Sequence, residues 1–281
     1  MEKYALLRKS VEDLSPIQMV EAPLASRDQI ALAHDEHYID AVFGGTLSDA
    51  QIREIGFPWS PEMVVRSARS AGATLAACQA AWYDGVSANL AGGTHHAYAD
   101  KGSGFCVFND AAIAARVMQK NLSDELGHAL RVAIVDLDVH QGNGTASILK
   151  EDPSIFTFSM HGEKNFPFRK ELSDLDIPLV DGCNDIFYLS ELKRGLHQVK
   201  SFCPEFVIYL AGADPYAGDR LGRLNLSLEG LAQRDRLVFD WAKELSLPIA
   251  VAMAGGYGKE IRETVAIHTK TIELAIGNLW K

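Results

Sequence analysis

Four short apolar runs in this chain each end in a cluster of polar and glycine residues. Val86–Leu90 leads into Gly92-Gly93-Thr94-His95-His96, and Arg131–Val135 into Asp136-Leu137-Asp138-Val139-His140. Phe206–Leu210 leads into Ala211-Gly212-Ala213-Asp214, and Pro248–Met253 into Gly255-Gly256-Tyr257. Runs this short, β-branched and bounded by polar residues, read as buried parallel strands. Helix-like segments separate them, which is the pattern of a mostly parallel central sheet with helices on both faces. In such a sheet the C-terminal strand ends share one edge, so residues distant in sequence converge there. The fold class expected is α/β, with a ligand site on that edge.

The flanking elements follow from their punctuation. Ser60 as N-cap and Pro61 at the first helical position open a helix that runs to Trp82 and stops at Asp84-Gly85. Further helices are expected over Asn109–Lys120, Asn143–Leu149, Ile186–Phe202, Ser227–Leu245 and Ile261–Leu279, and one more strand over Ile155–Met160. No repeat or linker interrupts the pattern, so residues 1–281 read as a single domain.

Composition limits the function classes. A net charge of −10 argues against nucleic acid as a partner, because phosphate contacts need clustered Lys and Arg, and leaves a cationic peptide or polyamine open as substrate. The four cysteines (Cys78, Cys106, Cys183, Cys203) are scattered, which suits a reduced, cytoplasmic setting. No apolar run approaches the ~18 residues a membrane span requires. The sequence leaves the oligomeric state open.

The strand-end clusters carry the chemistry. Carboxylates at the end of a buried strand need a cation or hydrogen-bond partner to offset their desolvation. Asp138 and His140 lie two apart, so on extended backbone they face the same way and can grip one metal ion. Asp214 supplies a third ligand, and three protein ligands with an open position mark a catalytic centre. The set suits Zn²⁺, with Fe²⁺ or Co²⁺ as alternatives. His95 and His96 are candidates for general base and acid, Asp136 and Asn143 for the groups that orient them, and Tyr257 for an oxyanion donor. Taken singly, each cluster has a plainer explanation in turns, caps or packing. Four of them at four strand ends point to catalysis.

The chain resembles the zinc-dependent histone deacetylase family from about Pro61 to its C-terminus. The resemblance rests on GGTHHA (92–97), GSGFCVFND (102–110), VDLDVHQGNGT (135–145), AGADPYAGDRLG (211–222) and AGGYGK (254–259). DVHQGNG, GDRLG and QRDRLVF (233–239) are most similar to the class IV branch and its bacterial relatives. It implies the arginase–deacetylase fold, zinc on Asp138, His140 and Asp214, the tandem histidines at His95 and His96, and the transition-state tyrosine at Tyr257. It further implies a slim acyl-lysine tunnel beside Gly104, walled by Phe105 and Phe166, for which ordinary core packing is the alternative. A structural K⁺ is implied at Asp136, at the carbonyls of Asp138 and His140, and at Ser159 and Met160.

Two departures from the family stand out. Asn143 replaces an Asp found in class I relatives, and an amide stabilises imidazolium less than a carboxylate does, so His96 should be the more neutral of the pair. The family also begins with a strand and a His/Pro-rich loop before the segment that here reads Met1–Leu7. The chain is therefore expected to start inside that region, with one sheet edge and part of the tunnel rim open and with lower stability than a longer form. The activity implied is hydrolysis of an N-acyl-lysine amide, by a deacetylase or a longer-chain deacylase, on a protein or peptide. An acetylpolyamine or another small acylated amine is the alternative substrate. A dinuclear manganese ureohydrolase would need bridging carboxylates where His95 and His96 stand, and a non-enzymatic module would be expected to have lost a ligand or the tyrosine.

Overall fold

A computed structural model describes residues 2–277. Its centre is one six-stranded sheet in the order β1-β6-β5-β2-β3-β4, with every pairing parallel. The strands are β1 Val86–Asn89, β2 Val132–Asp136, β3 Ile155–Gly162, β4 Leu175–Leu179, β5 Phe206–Leu210 and β6 Ile249–Ala252. The helices are α1 Glu2–Val11, α2 Arg27–Ile30, α3 Glu36–Gly44, α4 Asp49–Ile55, α5 Pro61–Asp84, α6 Asp110–Leu126, α7 Asn143–Leu149, α8 Asp185–Ser201, α9 Leu228–Glu244 and α10 Ile261–Gly277.

The period-two geometry of the central strands divides their side chains between two cores. Val132, Ile134, Phe206, Ile208, Leu210, Ala250 and Ala252 pack toward α5 and α6. Ala133, Val135, Val207, Tyr209, Ile249 and Val251 pack toward α8, α9 and α10. Both faces are covered, which is why β2 and β5 are buried at every position.

The helix punctuation expected at α5 is present, with the Ser60 side chain accepting the Met63 N–H and Gly85 as C-cap. On α6, Asn109 accepts the Ala112 N–H, and buried Ala111, Ala112, Ala114 and Ala115 let the helix lie close against α5. The expected helix over 109–120 runs six residues further, to Leu126. The Asn278 and Leu279 end of the last expected helix lies outside the described residues.

Two features differ from the sequence reading. The first sixty residues, where it places no element, fold as α1–α4, with α1 packed on α10. β4 is a further strand, whose LDIPL sequence hides it because Asp176 and Pro178 break the apolar pattern. It lies at the sheet edge, where a proline is tolerated. The four cysteines are free thiols. No helix among the described residues is long and apolar enough to cross a membrane.

Candidate active site

The histidine pair is held by a turn built on Asp110. After β1, Gly92 and Gly93 adopt φ of 84° and 72°. A Cβ on Gly93 would fall 2.4 Å from the Cα and Cβ of Ala254, so the close approach of this turn to the strand end of β6 requires glycine. The Gly93 and Thr94 N–H groups donate to the Asp110 carboxylate at 2.9 and 2.7 Å, and the Thr74 hydroxyl donates at 2.6 Å. Asp110 is fully buried and is the first residue of α6, where the helix dipole favours a negative charge.

The two imidazoles, with ring centroids 4.2 Å apart, have unlike partners. His95 Nδ1 lies 2.6 Å from Asp136 Oδ2, and its Nε2 lies 3.8 Å from Asp138 Oδ1. His96 Nδ1 lies 2.6 Å from Asn143 Oδ1. The Asn143 amide donates to the Tyr98 hydroxyl at 2.8 Å, and that hydroxyl donates to Glu171 at 3.2 Å. Fixing the amide this way turns its oxygen toward His96, so Nδ1 carries the proton and Nε2 keeps its lone pair.

Charge follows the partners. Burial opposes the imidazolium of His95, but the charges of Asp136 and Asp138 and the Asp136 hydrogen bond overrule it and raise its pKa to about 9. Burial, then the positive neighbours His95 and His140, push His96 well below the usual histidine range. The direction is the one expected from a carboxylate on one ring and an amide on the other.

Asp138, His140 and Asp214 come together from the ends of β2 and β5, with ligand atoms all within 4.8 Å of one another. His140 Nδ1 stands 2.9 Å from Asp138 Oδ1 and 3.3 Å from Asp214 Oδ2. Oδ2 of Asp214 is buried and accepts no well-aligned hydrogen bond despite that proximity. Its other oxygen accepts the Val139 N–H at 2.9 Å, and Asp138 Oδ2 accepts the Gly255 N–H at 2.8 Å. Burial and the Asp138 charge raise Asp214 to about 6. Burial also opposes charge on His140, yet the two carboxylates raise it to about 10. An orphaned carboxylate oxygen facing an imidazole nitrogen and a second carboxylate is a donor set that a divalent cation satisfies.

Tyr257 reaches the site on a clamped loop. Its N–H donates to Asp219 Oδ2 at 2.6 Å, its carbonyl accepts the Arg220 N–H at 3.2 Å, and the Arg220 guanidinium donates to Gly258 O at 3.2–3.3 Å. Burial pushes the phenol up to about 12, which keeps it a donor at neutral pH. Lys3, from α1, sets its ammonium 3.3 Å from Gly256 O and 5.4 Å from the Tyr257 ring centre. Burial lowers its pKa, against the raising effect of Asp214, Asp138 and Asp219.

These groups line one cavity of about 1020 Å³ that also includes Gly104, Phe105 and Phe166. Phe105 is 50% and Phe166 37% exposed, so neither ring is packed as core. Phe105, at φ 66°, stands against Phe57 with centroids 5.3 Å apart, and Phe166 meets His96 edge-on at 4.9 Å. At the expected monovalent-cation position the sheet register pairs Asp136 with Ser159, which precedes Met160 on β3. The Ser159 hydroxyl lies 3.0 Å from His161 Nδ1.

The sequence reading missed Asp110, Asp219, Arg220, Tyr98 and Lys3. The first three lie inside the quoted motifs GSGFCVFND and AGADPYAGDRLG and were open to notice. Tyr98 and Lys3 carry no local signal and enter the site only through the tertiary fold.

The comparisons with known proteins show the family and the fold. The histone deacetylase domain model matches residues 2–272. An uncharacterized protein of Picosynechococcus is 43% identical over 273 residues, covering 96% of this chain and 89% of that protein. Histone deacetylase 2 of Arabidopsis thaliana is 31% identical over 259 residues, covering 88% of this chain but 65% of that protein. Among solved structures, an HDAC homologue complexed with SAHA superposes with a TM-score of 0.83 at 24% identity, covering 97% of this chain and 77% of that one. An HDAC homologue from Aquifex aeolicus gives 0.79 at the same identity and coverage.

Proposed function

Because the chain belongs to the histone deacetylase family, we propose that it is a metal-dependent amidohydrolase that removes the acyl group from N-acyl-lysine side chains. The observation that carries this reading is the set Asp138, His140 and Asp214 within 4.8 Å, with Asp214 Oδ2 unpartnered, beside two imidazoles whose outer nitrogens are already engaged. The chemistry that Zn²⁺ supplies when bound by these three residues is Lewis acidity toward the amide carbonyl and a lowered pKa for water.

The remaining steps belong to the chain's own side chains. His96, neutral with its lone pair on Nε2, accepts the proton of the attacking water. His95 stays charged on Asp136 and holds positive potential beside the reacting carbonyl. The Tyr257 hydroxyl donates to the carbonyl oxygen as it gains charge. The proton on the histidine pair then passes to the departing amine. Phe105 and Phe166 flank the lysine methylenes and exclude water from around them. A K⁺ ion between the ends of β2 and β3, on Asp136, the Asp138 and His140 carbonyls, Ser159 and Met160, would stiffen the strand end that carries two metal ligands.

The test is turnover of acyl-lysine peptides, from acetyl to myristoyl, by zinc-loaded protein with Asp138→Ala as control. Hydrolysis abolished in the control is the expected result. No turnover of any peptide by protein holding one zinc per chain would refute the substrate assignment.

A further inference from the structure

The surroundings of the cavity mouth carry a charge opposite to that of the chain. The sequence holds 27 Lys and Arg against 37 Asp and Glu. Yet Lys3, Arg66, Arg69, Lys164, Arg220 and Arg223 line the main cavity. A second depression of about 510 Å³ shares Gly104, Phe105, Phe166 and Phe168 with the first, and Arg53, Lys101 and Arg169 line it.

Carboxylates do not balance these cations. Asp138 and Asp214 line the main cavity, but they are buried metal-ligand candidates, and Glu2 is the third acid there. Glu54 is the acid of the second depression and is paired with Lys101 at 2.7 Å. Arg223 is paired with Asp181 at 3.2 Å, and the Arg220 guanidinium is used on Gly258 O. Arg69 is paired with Glu21 at 2.7 Å, whereas Arg53, Lys164 and Arg169 are exposed and have no ion-pair partner among the described residues. Glu163 and Glu171, the acids nearest in sequence to Lys164 and Arg169, line neither depression. Phe168, 88% exposed, stands between the two depressions and offers an apolar surface to a segment lying across the mouth.

We propose that the substrate of this site is an acyl-lysine flanked by acidic residues, rather than one in a Lys/Arg-rich segment or an acylated polyamine. The inference rests on the amidohydrolase reading, which supplies the lysine in the tunnel. It adds the chemistry of the residues on either side. Three unpaired cations along two adjoining depressions raise the local concentration of an acidic peptide and repel a cationic one. Each exposed charge contributes little alone and is screened within about 10 Å at 0.1 M salt, so the preference has an ionic-strength signature.

The experiment compares three peptides with the same acyl-lysine and Glu, Ala or Lys at the two positions on each side. For zinc-loaded protein at low salt, the Glu-flanked peptide should exceed the Lys-flanked one in kcat/KM by about fivefold or more, and the gap should close near about 0.5 M salt. Lys164→Glu/Arg169→Glu should lose or invert the preference, read as the ratio of kcat/KM for the Glu-flanked and Lys-flanked peptides. Equal rates, or faster turnover of the Lys-flanked peptide, would overturn the proposal. Anisotropy of the same labelled peptides on the Tyr257→Phe variant reads the preference without chemistry. Tighter binding of the Glu-flanked peptide without turnover by the parent protein would uphold the charge assignment and refute the hydrolytic reading. Equal affinities would overturn the charge assignment itself.

Discussion

Gly255→Ala separates the metal-site geometry from the fold. Gly255 follows β6 and donates its N–H to Asp138 Oδ2 at 2.8 Å. A Cβ there would lie 2.1 Å from Asp214 Oδ2 and 2.5 Å from Asp138 Oδ2. Its φ lies outside the left-handed region, so alanine meets no backbone strain and the whole effect is contact. Real Cβ contacts stay at or above 3.0 Å, so these oxygens would have to retreat by about 0.9 and 0.5 Å. Both carboxylates are buried, which leaves no solvent for them to swing into. A metal site tolerates only about 0.2 Å in its ligand distances, and losing an outer partner alone costs roughly 10–100-fold in affinity. Zinc affinity should therefore fall by about 10²-fold or more, with a stability loss of about 1–3 kcal/mol from overpacking. Competition with a chromophoric chelator measures the first, and urea melts of metal-free protein measure the second. Gly44→Ala is the control: its Cβ would meet nothing nearer than Thr46 Cγ2 at 4.0 Å, so zinc affinity should not change. Gly44 is the last residue of α3 and lies outside the left-handed region, so alanine should gain about 0.4–1 kcal/mol by restricting the unfolded chain. A Gly255→Ala protein that binds zinc like the parent would refute the assignment of Asp138 and Asp214 as joint ligands.

Three further outcomes are expected. Tyr257→Phe should lower kcat by about 10²–10³ with zinc content unchanged, and a loss below about tenfold would remove it as oxyanion donor. Arg234 is fully buried, donates to Asp235 at 2.8 Å and to the carbonyls of Leu137 and Gly212, and so ties together the strand ends that carry Asp138 and Asp214. Arg234→Met leaves the Asp235 carboxylate without its cation and should cost about 3–5 kcal/mol in urea melts; a cost under about 1 kcal/mol would contradict this. His34 accepts the Asn109 N–H at 2.8 Å, and burial pushes its pKa from 6.5 to about 4. Its neutral form is retained in the fold while the unfolded chain takes up a proton, so stability should fall as pH drops from about 6.5 to about 4, by roughly 3 kcal/mol. His34→Gln should flatten that part of the profile, and identical slopes would refute the assignment.

The reach of sequence reasoning followed how local each signal was. Asp138, His140 and Asp214 were legible because polar clusters close four separate apolar runs, and the parallel sheet expected from those runs gathers their ends on one edge. The pairing of His96 with Asn143 was legible through the family motif, whereas the Tyr98–Glu171 relay that orients the amide was not. Its members are 45 and 73 residues apart in the chain and meet only across the folded loops. The N-terminal helices were harder to see, since α2 and α4 are short and weakly patterned. Even so, both open with capping boxes, Ser26 with Gln29 and Ser48 with Gln51, whose spacing is plain in the sequence. Arg234 was unreadable in principle: a charged residue in an amphipathic helix points to solvent unless the partner awaiting it is known.

The strand order has a consequence for how the protein comes into being. β1, which carries the histidine turn, pairs in the sheet only with β6, the last strand in the chain. β2 to β5 follow one another in the chain and bring Asp138, His140 and Asp214 together without β6, whereas β1 finds its sheet neighbour only in β6. Residues 249–252 lie between β1 and β5, so β6 alone joins the strand that precedes the histidine turn to the rest of the sheet. The sheet is thus completed by its last strand, and a fragment ending before residue 249 would leave β1 without a sheet partner.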